Sequence, residues 1–414
     1  MIQRLLVIVL VCITSTTIAQ EATSSPYSFF GIGSLNFRGT VENRSMAGIS
    51  MYSDSIHLNL QNPSGIAHLK LVTFSVGGAH KYVSQETVNE QGSASSTSIN
   101  YIALGMPISD RMGAGFGILP LTSVGYNVEN QAVDGNVQNR GQGGMNKVYL
   151  NFAYRINDNF SLGVDANYNF GNIINNTLLS NPDVEFATRE TNRSNLSGFS
   201  VNFGATYRKM LNDKLELFSA ITYTPETNLN SENFRQFASV FVPNQNFQID
   251  VDVRDVDVED SKLTLPSELT LGVGVGEPRK WFIGGEFTTQ NTTNFSNRAF
   301  ELDNVEFSTA SRYKLGGFYV PRHTTVSNYF NRITYRAGVR YEDTGLIINN
   351  ENINEFGITF GVGLPVGRMF SNFNVGFEVG SRGTTNNGLV KENFFNTIIS
   401  LSLNDRWFIK TLLD

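Results

Sequence analysis

The chain is almost free of cysteine. Its 414 residues include a single one, Cys12, which lies near the N-terminus. The residue before it, Val11, is not small, and this disfavours a lipid anchor on Cys12. Beyond this position the chain can form neither disulfides nor thiolate sites for catalysis or for a metal.

Long hydrophobic runs are also missing. The apolar run at residues 5–13 is well short of the about 18 residues that a membrane-spanning helix needs. Arg4 precedes this run, and a small-residue cleavage site, Thr-Ile-Ala at residues 17–19, follows it. Because these are the parts of a secretory signal peptide, we predict that residues 1–19 are removed on export.

Charge is scarce as well. Charged residues make up 16% and hydrophobic residues 40% of the chain, against about 25% and about 45–50% in soluble domains. Gly, Asn, Ser, Thr and aromatic residues fill the difference. This composition suits a barrel with lipid outside and water inside. The mild net charge of −6 argues against nucleic acid as a partner.

A two-residue period runs through most of the chain. At residues 160–170 every second side chain is apolar and those between are polar or small, and residues 148–156 repeat the pattern. Only Asn-Asp-Asn, at residues 157–159, joins the two, which predicts an antiparallel hairpin. Segments of about ten residues or more are long enough to cross a bilayer as tilted strands.

Fourteen such segments can be counted. They lie at about 69–83, 97–107, 112–126, 145–156, 160–172, 196–210, 215–225, 263–276, 281–292, 310–320, 332–344, 353–365, 373–385 and 393–404. Short connections alternate with long ones at about 84–96, 127–144, 173–195 and 226–262. The exception is residues 321–330, a longer connection on the short side, which we interpret as a periplasmic elaboration.

These observations predict an all-β fold, a transmembrane antiparallel outer-membrane β-barrel of about 14 strands at residues 68–414, in a Gram-negative bacterium. Residues 20–67 have no strand period and are rich in small and aromatic side chains. They are too apolar for a free tail, so we expect them to form a plug inside the lumen.

Residues 44–69 resemble the N-terminal hatch of the FadL/TodX-type outer-membrane transport family, in which a small-residue stretch is followed by Asn-Pro-Ala or Asn-Pro-Ser-Gly just before the first strand. The motif here is Asn62, Pro63, Ser64 and Gly65. Residues 105–111 and 404–410 are similar to Bacteroidetes members of that group. The resemblance implies uptake of long-chain fatty acids or other hydrophobic compounds, yet the barrel is also similar to PorV-type proteins, which carry cargo for a secretion system.

The third strand contains Pro120 and three glycines at residues 113–117. A proline cannot donate to the ladder, so we predict a kink or bulge. The resemblance to FadL-type barrels implies a sideways gap towards the lipid at this point, and an ordinary bulge at the rim is the alternative. We expect Ile102, Leu104 and Met106 on the lumen face, packed under the plug or lining a path for an apolar solute together with Phe116 and Pro120.

Charged side chains on the wall should face the lumen, because a basic residue on the lipid face costs roughly 2–4 kcal/mol near the midplane. Alternation places seven of them there: Glu268, Glu286, Arg312, Lys314, Arg336, Arg340 and Glu378. We predict that they form a network that holds the plug. They could also set solute preference, although hydration and mutual pairing suffice to explain them.

Catalytic and metal-binding patterns are not found in the sequence. The four histidines, at positions 57, 68, 80 and 323, lack metal-ligand spacing, and there is no nucleophile elbow or phosphate-binding loop. The acidic run at residues 250–260 alternates like a strand. It therefore favours a solvated hairpin over a calcium site. We predict no enzymatic activity, no cofactor and no metal.

Two functions remain open. The first is passive, plug-gated uptake of hydrophobic small molecules, with lateral exit at the kink in the third strand. The second is a non-transporting accessory or shuttle barrel of a secretion or assembly complex, which would dock through residues 226–262 or 321–330. In both cases the protein's surroundings are outer-membrane lipid.

Overall fold

The computed structural model of the protein describes residues 23–132, 135–244, 247–293, 304–322, 329–366 and 371–406. The expected signal peptide, most of the 321–330 connection and the end of the 404–410 segment lie outside these residues. No helix in the described part of the chain is long and apolar enough to cross a membrane.

The described residues form one sheet of nineteen strands. These are β1 (Ser34–Leu35), β2 (Val72–Glu86), β3 (Gln91–Pro107), β4 (Met112–Ala132), β5 (Gly135–Arg155), β6 (Phe160–Ser180), β7 (Ala187–Met210), β8 (Glu216–Thr224), β9 (Thr227–Asn244), β10 (Phe247–Val256), β11 (Ser261–Leu265), β12 (Glu268–Glu277), β13 (Trp281–Asn291), β14 (Val305–Phe307), β15 (Thr309–Tyr319), β16 (Thr334–Ile348), β17 (Glu351–Pro365), β18 (Asn372–Arg382) and β19 (Lys391–Asp405).

Three strands of the wall are interrupted. The first consists of β8 and β9, the second consists of β10, β11 and β12, and the third consists of β14 and β15. β1 belongs to the N-terminal part of the chain. The described wall therefore has fourteen antiparallel strands, and β19 pairs with the whole of β2 to close the barrel. The predicted fold class and strand number are confirmed.

The two faces of the wall differ as the alternation predicted. On β17 the large side chains Phe356, Ile358 and Phe360 are exposed, whereas Gly357 and Thr359 between them are buried. The exposed apolar row is the lipid face, since a barrel in a bilayer turns its apolar residues outward.

The segments expected to be long loops are mostly strand. The β2–β3 connection is reduced to residues 87–90, and β6 and β7 are separated only by residues 181–186. The first part of the acidic run, residues 250–256, lies in β10 and forms a hairpin with β9, and residues 257–260 follow that strand. The sequence period fades in these segments because polar residues suit both faces of a strand that extends beyond the lipid, while the backbone ladder continues.

The N-terminal segment (residues 23–71) lies against the inner face of the wall. It contains β1, one turn of helix α1 (Val41–Arg44) and 3-10 helices at Pro26–Phe29 and Pro63–His68. Further 3-10 helices lie at Tyr329–Arg332 and Asn386–Gly388. Thr40 caps α1, and its hydroxyl accepts a hydrogen bond from the backbone N–H of Asn43.

Hydrophobic clusters form where the N-terminal segment meets the wall. Leu58, Ile66 and Leu69 pack with Tyr101 and Ala103 on β3. Three further clusters unite Ile32 with Leu121 and Val124, Met46, Ile49 and Met51 with Phe218 and Phe282, and Tyr27 with Leu346, Ile353 and Leu389. Much of the core of the protein therefore lies inside the barrel.

Candidate functional site

The Asn-Pro-Ser-Gly motif contacts the wall at β6 and β7. The side-chain amide of Asn62 donates from Nδ2 to the hydroxyl of Thr206 at 3.1 Å. Its side-chain oxygen, Oδ1, accepts from the backbone N–H of Ser64 at 3.1 Å. A Cβ on Gly163 or on Gly204 would overlap Pro63 or Asn62. Small wall residues thus permit backbone contact between the motif and the barrel.

Glu378 is the fully buried centre of one ion-pair group. One of its carboxylate oxygens accepts from Arg44 Nε at 2.8 Å, and the other accepts from Arg340 Nε at 2.8 Å. The side-chain amide of Asn396 donates to it at 2.8 Å. Because Arg44 belongs to the N-terminal segment, Glu378 joins that segment to β16, β18 and β19.

A second group surrounds Glu268 on β12. It pairs with Arg38 of the N-terminal segment and, at 3.2 Å, with Arg312 on β15. Arg312 Nε also donates to Glu342 at 2.7 Å, and Glu342 lies 3.5 Å from Arg340. The Glu268 and Glu378 groups are therefore continuous.

A third contact involves Glu286 on β13. It accepts from Lys314 Nζ at 2.8 Å and from the backbone N–H and hydroxyl of Ser50, at 2.7 and 2.8 Å. Arg336 is buried and donates to Asn374 at 3.2 Å, but it makes no ion pair with a described residue. The structure thus brings six of the seven expected charges into ion pairs.

Sequence reasoning missed the cations that the N-terminal segment contributes, Arg38 and Arg44. That segment has no period from which the direction of a side chain can be inferred. The sequence reasoning also did not single out Glu342, Glu355 or Arg382, which the strand alternation could have placed on the lumen side. Glu355 pairs with Arg340, and lies 3.8 Å from Arg382.

A cavity of about 210 Å³ lies between the N-terminal segment and the wall. Its lining includes apolar side chains such as Phe30, Phe37 and Leu60. It also includes twelve charged side chains: Arg38, Arg44, Lys147, Glu268, Glu286, Arg312, Lys314, Arg340, Glu342, Glu355, Glu378 and Arg382. An apolar solute here would displace water from ionised groups without replacing their hydrogen bonds, which is costly.

The prediction that an apolar row on the second wall strand, β3, faces the lumen was wrong. Ile102 is 40% exposed on the outer face, and Leu104 and Met106 share that face, whereas Tyr101 and Ala103 point inward and are buried. The inner side is taken by the N-terminal segment, which lies so close that a Cβ on Gly105 would overlap Leu58. Phe116, half exposed, also faces outward.

The seam between β3 and β4 is incomplete. The two strands pair from Pro107 and Gly113 only as far as Ile102 and Ile118. Beyond that point β3 pairs with β2 alone, and β4 pairs with β5. A register shift in the β4–β5 ladder falls between Pro120 and Thr122. The predicted bulge at Pro120 is therefore confirmed, and it lies two residues above the end of the seam.

The N-terminal segment takes the edge of β4 that β3 leaves free. β1 pairs with Thr122 and Ser123 of β4, and the backbone N–H of Asn36 donates to the carbonyl of Leu121 at 3.0 Å. The hydroxyl of Ser28 accepts from the N–H of Gly125 at 3.0 Å. These contacts explain why every residue from 121 to 126 is buried, although the strand period predicts alternation.

Two histidines of the N-terminal segment are in different environments. His57 Nδ1 lies 2.6 Å from the carboxylate of Asp54. Burial acts against it, but this carboxylate raises the pKa of His57, and the imidazole lowers the pKa of Asp54 to about 2. Burial lowers the pKa of His68 to about 3, so its ring is neutral at pH 7.

No group of three or more described His, Cys, Asp or Glu residues has metal-site geometry.

The closed barrel and its inner segment are similar to solved transport barrels. The toluene transporter TbuX of Ralstonia pickettii has a TM-score of 0.63 at 14% identity, over 90% of this chain and 100% of that one. The toluene transporter TodX of Pseudomonas putida has a TM-score of 0.59 at 14% identity, over 90% and 99% of the two chains. A FadL homologue of Pseudomonas aeruginosa has a TM-score of 0.56 at 12% identity, over 92% and 100%.

Its closed wall of fourteen strands and its apolar outer face give this protein the fold of the FadL-type outer-membrane β-barrels. No curated protein matches its sequence. The model of the BamG family matches residues 1–414, the whole chain, and the protein belongs to that family.

Proposed function

We propose that this protein is an accessory barrel of an outer-membrane assembly complex and carries no solute through its lumen. The charged lining of the inner cavity is the observation that supports this most. A channel for apolar compounds needs an apolar path, whereas Ile102, Leu104 and Met106 of β3 face the lipid. The apolar side chains of β4 that face inward, such as Leu121 and Val124, are packed against Ile32 of the N-terminal segment. Membership of the BamG family supports association with an assembly complex.

In this proposal residues 20–67 form a permanent plug, held by the ion pairs of Arg38 and Arg44 and by the Asn62 motif. Such a plug would close the barrel while the wall offers a rigid surface to partner proteins. The proposal includes no catalytic role, and it fits the resemblance to PorV-type proteins and to Bacteroidetes members of the group.

The test compares outer membranes with and without the protein. We expect it to copurify from native membranes in a large complex at fixed stoichiometry, and we expect its depletion to lower the amounts of other outer-membrane barrels. Reconstituted in liposomes, it should not accelerate entry of toluene or oleate. A solitary barrel that speeds their entry would contradict the proposal.

A second candidate is uptake of hydrophobic small molecules, such as long-chain fatty acids, with displacement of the plug and lateral exit. The open β3–β4 seam beside Pro120 favours it, as does similarity of fold to the toluene transporters. In this case liposomes containing the protein should take up toluene or oleate faster than empty liposomes. Equal rates in the two preparations would count against it.

A further inference from the structure

The outer part of β3, residues 91–101, has a neighbour on one side only. There it pairs with β2 from Gln91 to Tyr101. On its other side the ladder with β4 ends at Ile102. No other strand in the described part of the chain pairs with this edge. A barrel normally removes all strand edges by closing on itself, so an open edge of this length is unusual.

β4 cannot close this edge as it stands. Its own free edge at residues 121–125 is bound by β1, Asn36 and Ser28. Zipping β3 onto β4 would require the N-terminal segment to release these hydrogen bonds. The edge of β3 is therefore available while the N-terminal segment stays in place.

The β3 edge also lacks the usual protection. Proteins commonly guard an open edge with charged side chains or proline. Residues 91–101 read Gln-Gly-Ser-Ala-Ser-Ser-Thr-Ser-Ile-Asn-Tyr and contain neither. β10, which pairs with only one strand among the described residues, carries Asp250, Asp252, Arg254 and Asp255 in ten residues. The contrast indicates that the β3 edge is left open to contact.

The side chains along this edge would permit close approach by another strand. Most of them are small, a Cβ on Gly92 would meet nothing within 4 Å, and Ile99 is 64% exposed. Ten residues of strand extend about 33 Å. Alternating N–H and C=O groups over that length match an extended polypeptide, whereas a lipid or a small solute could satisfy only a few of them.

We propose that residues 91–101 of β3 bind an extended segment of a partner polypeptide by strand addition at the outer rim of the barrel. The inference rests on the proposed accessory function and names the kind of partner contact. Main-chain hydrogen bonds would supply the affinity, and the small, uncharged side chains would tolerate varied partner sequences.

Hydrogen exchange on the protein alone and in its native complex tests this directly. In detergent, the amides of residues 91–101 that point away from β2 should exchange fast. In the complex they should slow by at least about tenfold, the signature of a hydrogen-bonded strand. Residues 136–142 of β5, which pair with strands on both sides, serve as the control and should be protected in both samples.

Variants give a second measurement. Ser95→Lys with Thr97→Lys places charge along the edge and should cause loss of the partner from the complex. The matched control, Asn136→Lys with Gln138→Lys on β5, should retain it. Heat-modifiable migration on gels would show that both variants are folded.

Three results would overturn the inference. Edge amides already protected in the isolated monomer would mean that this chain covers its own edge. Protection that depends on a dimer would mean that a second copy is the occupant. Edge amides that stay unprotected in an isolated complex would refute strand addition and leave the accessory function intact. If no complex is isolated, the proposed function itself fails.

Discussion

At the residue scale, buried carboxylates determine how the N-terminal segment is held. Glu378 is removed from water and pairs with two arginines, one on the segment and one on the wall. The free-energy cost of removing its carboxylate from water is offset only while both arginines remain paired with it. The network therefore acts less as a source of net stability than as a constraint on position, because removal of one member leaves its buried partners with fewer opposite charges.

Replacement of this carboxylate provides the first prediction. Glu378→Ala should lower the free energy of unfolding by about 3–5 kcal/mol, since Arg44 and Arg340 lose their shared partner. Unfolding in denaturant, followed by tryptophan fluorescence, measures the change. Glu277→Ala, which removes the more exposed pair with Lys280, is the control and should cost no more than about 1 kcal/mol. Equal losses would contradict the role assigned to Glu378.

The Asp54–His57 pair makes the stability of the docked N-terminal segment depend on pH. The pKa of His57 is raised above 6.5, so its contribution is complete below pH 6.5 and is lost as the pH rises through its folded value. The pKa of Asp54 falls from 3.8 to about 2, so its contribution is lost as the pH falls through this range. Glu42, which favours the charged ring, and Arg336, which opposes it, also act on His57.

We therefore expect the N-terminal segment to be most protected from proteolysis between about pH 4 and 6.5 and to become more sensitive towards pH 9. Limited digestion with a protease active across this range measures it. In His57→Gln the increase in sensitivity at alkaline pH should disappear. The same pH profile in the variant would show that another group is responsible.

At the element scale, close contact between strands and the N-terminal segment depends on glycine. Gly163 on β6 faces Pro63, with no room for a side chain. Gly163→Val should push the Asn62 motif off the wall and make residues near it susceptible to protease. Gly92→Val, on the open edge of β3, is the matched control because nothing lies within 4 Å of its Cβ position. Unaltered digestion of the Gly163 variant would contradict the contact.

The bulge in β4 leads to a prediction that separates the two candidate functions. Pro120→Thr supplies an N–H and a residue that favours strands, so it should straighten β4 next to the open seam. If lateral exit operates, uptake of toluene or oleate in liposomes should fall. Pro365→Thr at the far end of β17 is the control and should change nothing. Unchanged uptake in the Pro120 variant would leave the lateral route without support.

At the scale of the whole molecule, the barrel is a wall built around a folded core that the same chain supplies. Four clusters and the ion pairs lie between the N-terminal segment and the wall. Deletion of residues 23–69 should therefore open a conducting pore in planar bilayers, while the complete protein should conduct poorly. The deletion variant must retain heat-modifiable migration. A closed, folded variant would show that the segment is not the seal.

The local sequence determined the wall. Alternation with a period of two predicted fourteen strands and the inward direction of the seven charges, because lipid and water differ in the cost of exposing an apolar or charged group. It also separated the two faces of a strand such as β17, but it did not give the correct inward face of β3. The proline in β4 likewise predicted its bulge, since a missing N–H is a property of one residue.

Tertiary structure decided the rest. Which way Ile102, Leu104 and Met106 point, where the β3–β4 ladder ends, and which carboxylates Arg38 and Arg44 reach all depend on segments far apart in the chain. The N-terminal segment has no repeating period, and its position is set by shape and charge complementarity to the inside of the closed wall. That complementarity exists only once the barrel has formed, which is why the sequence alone could not provide it.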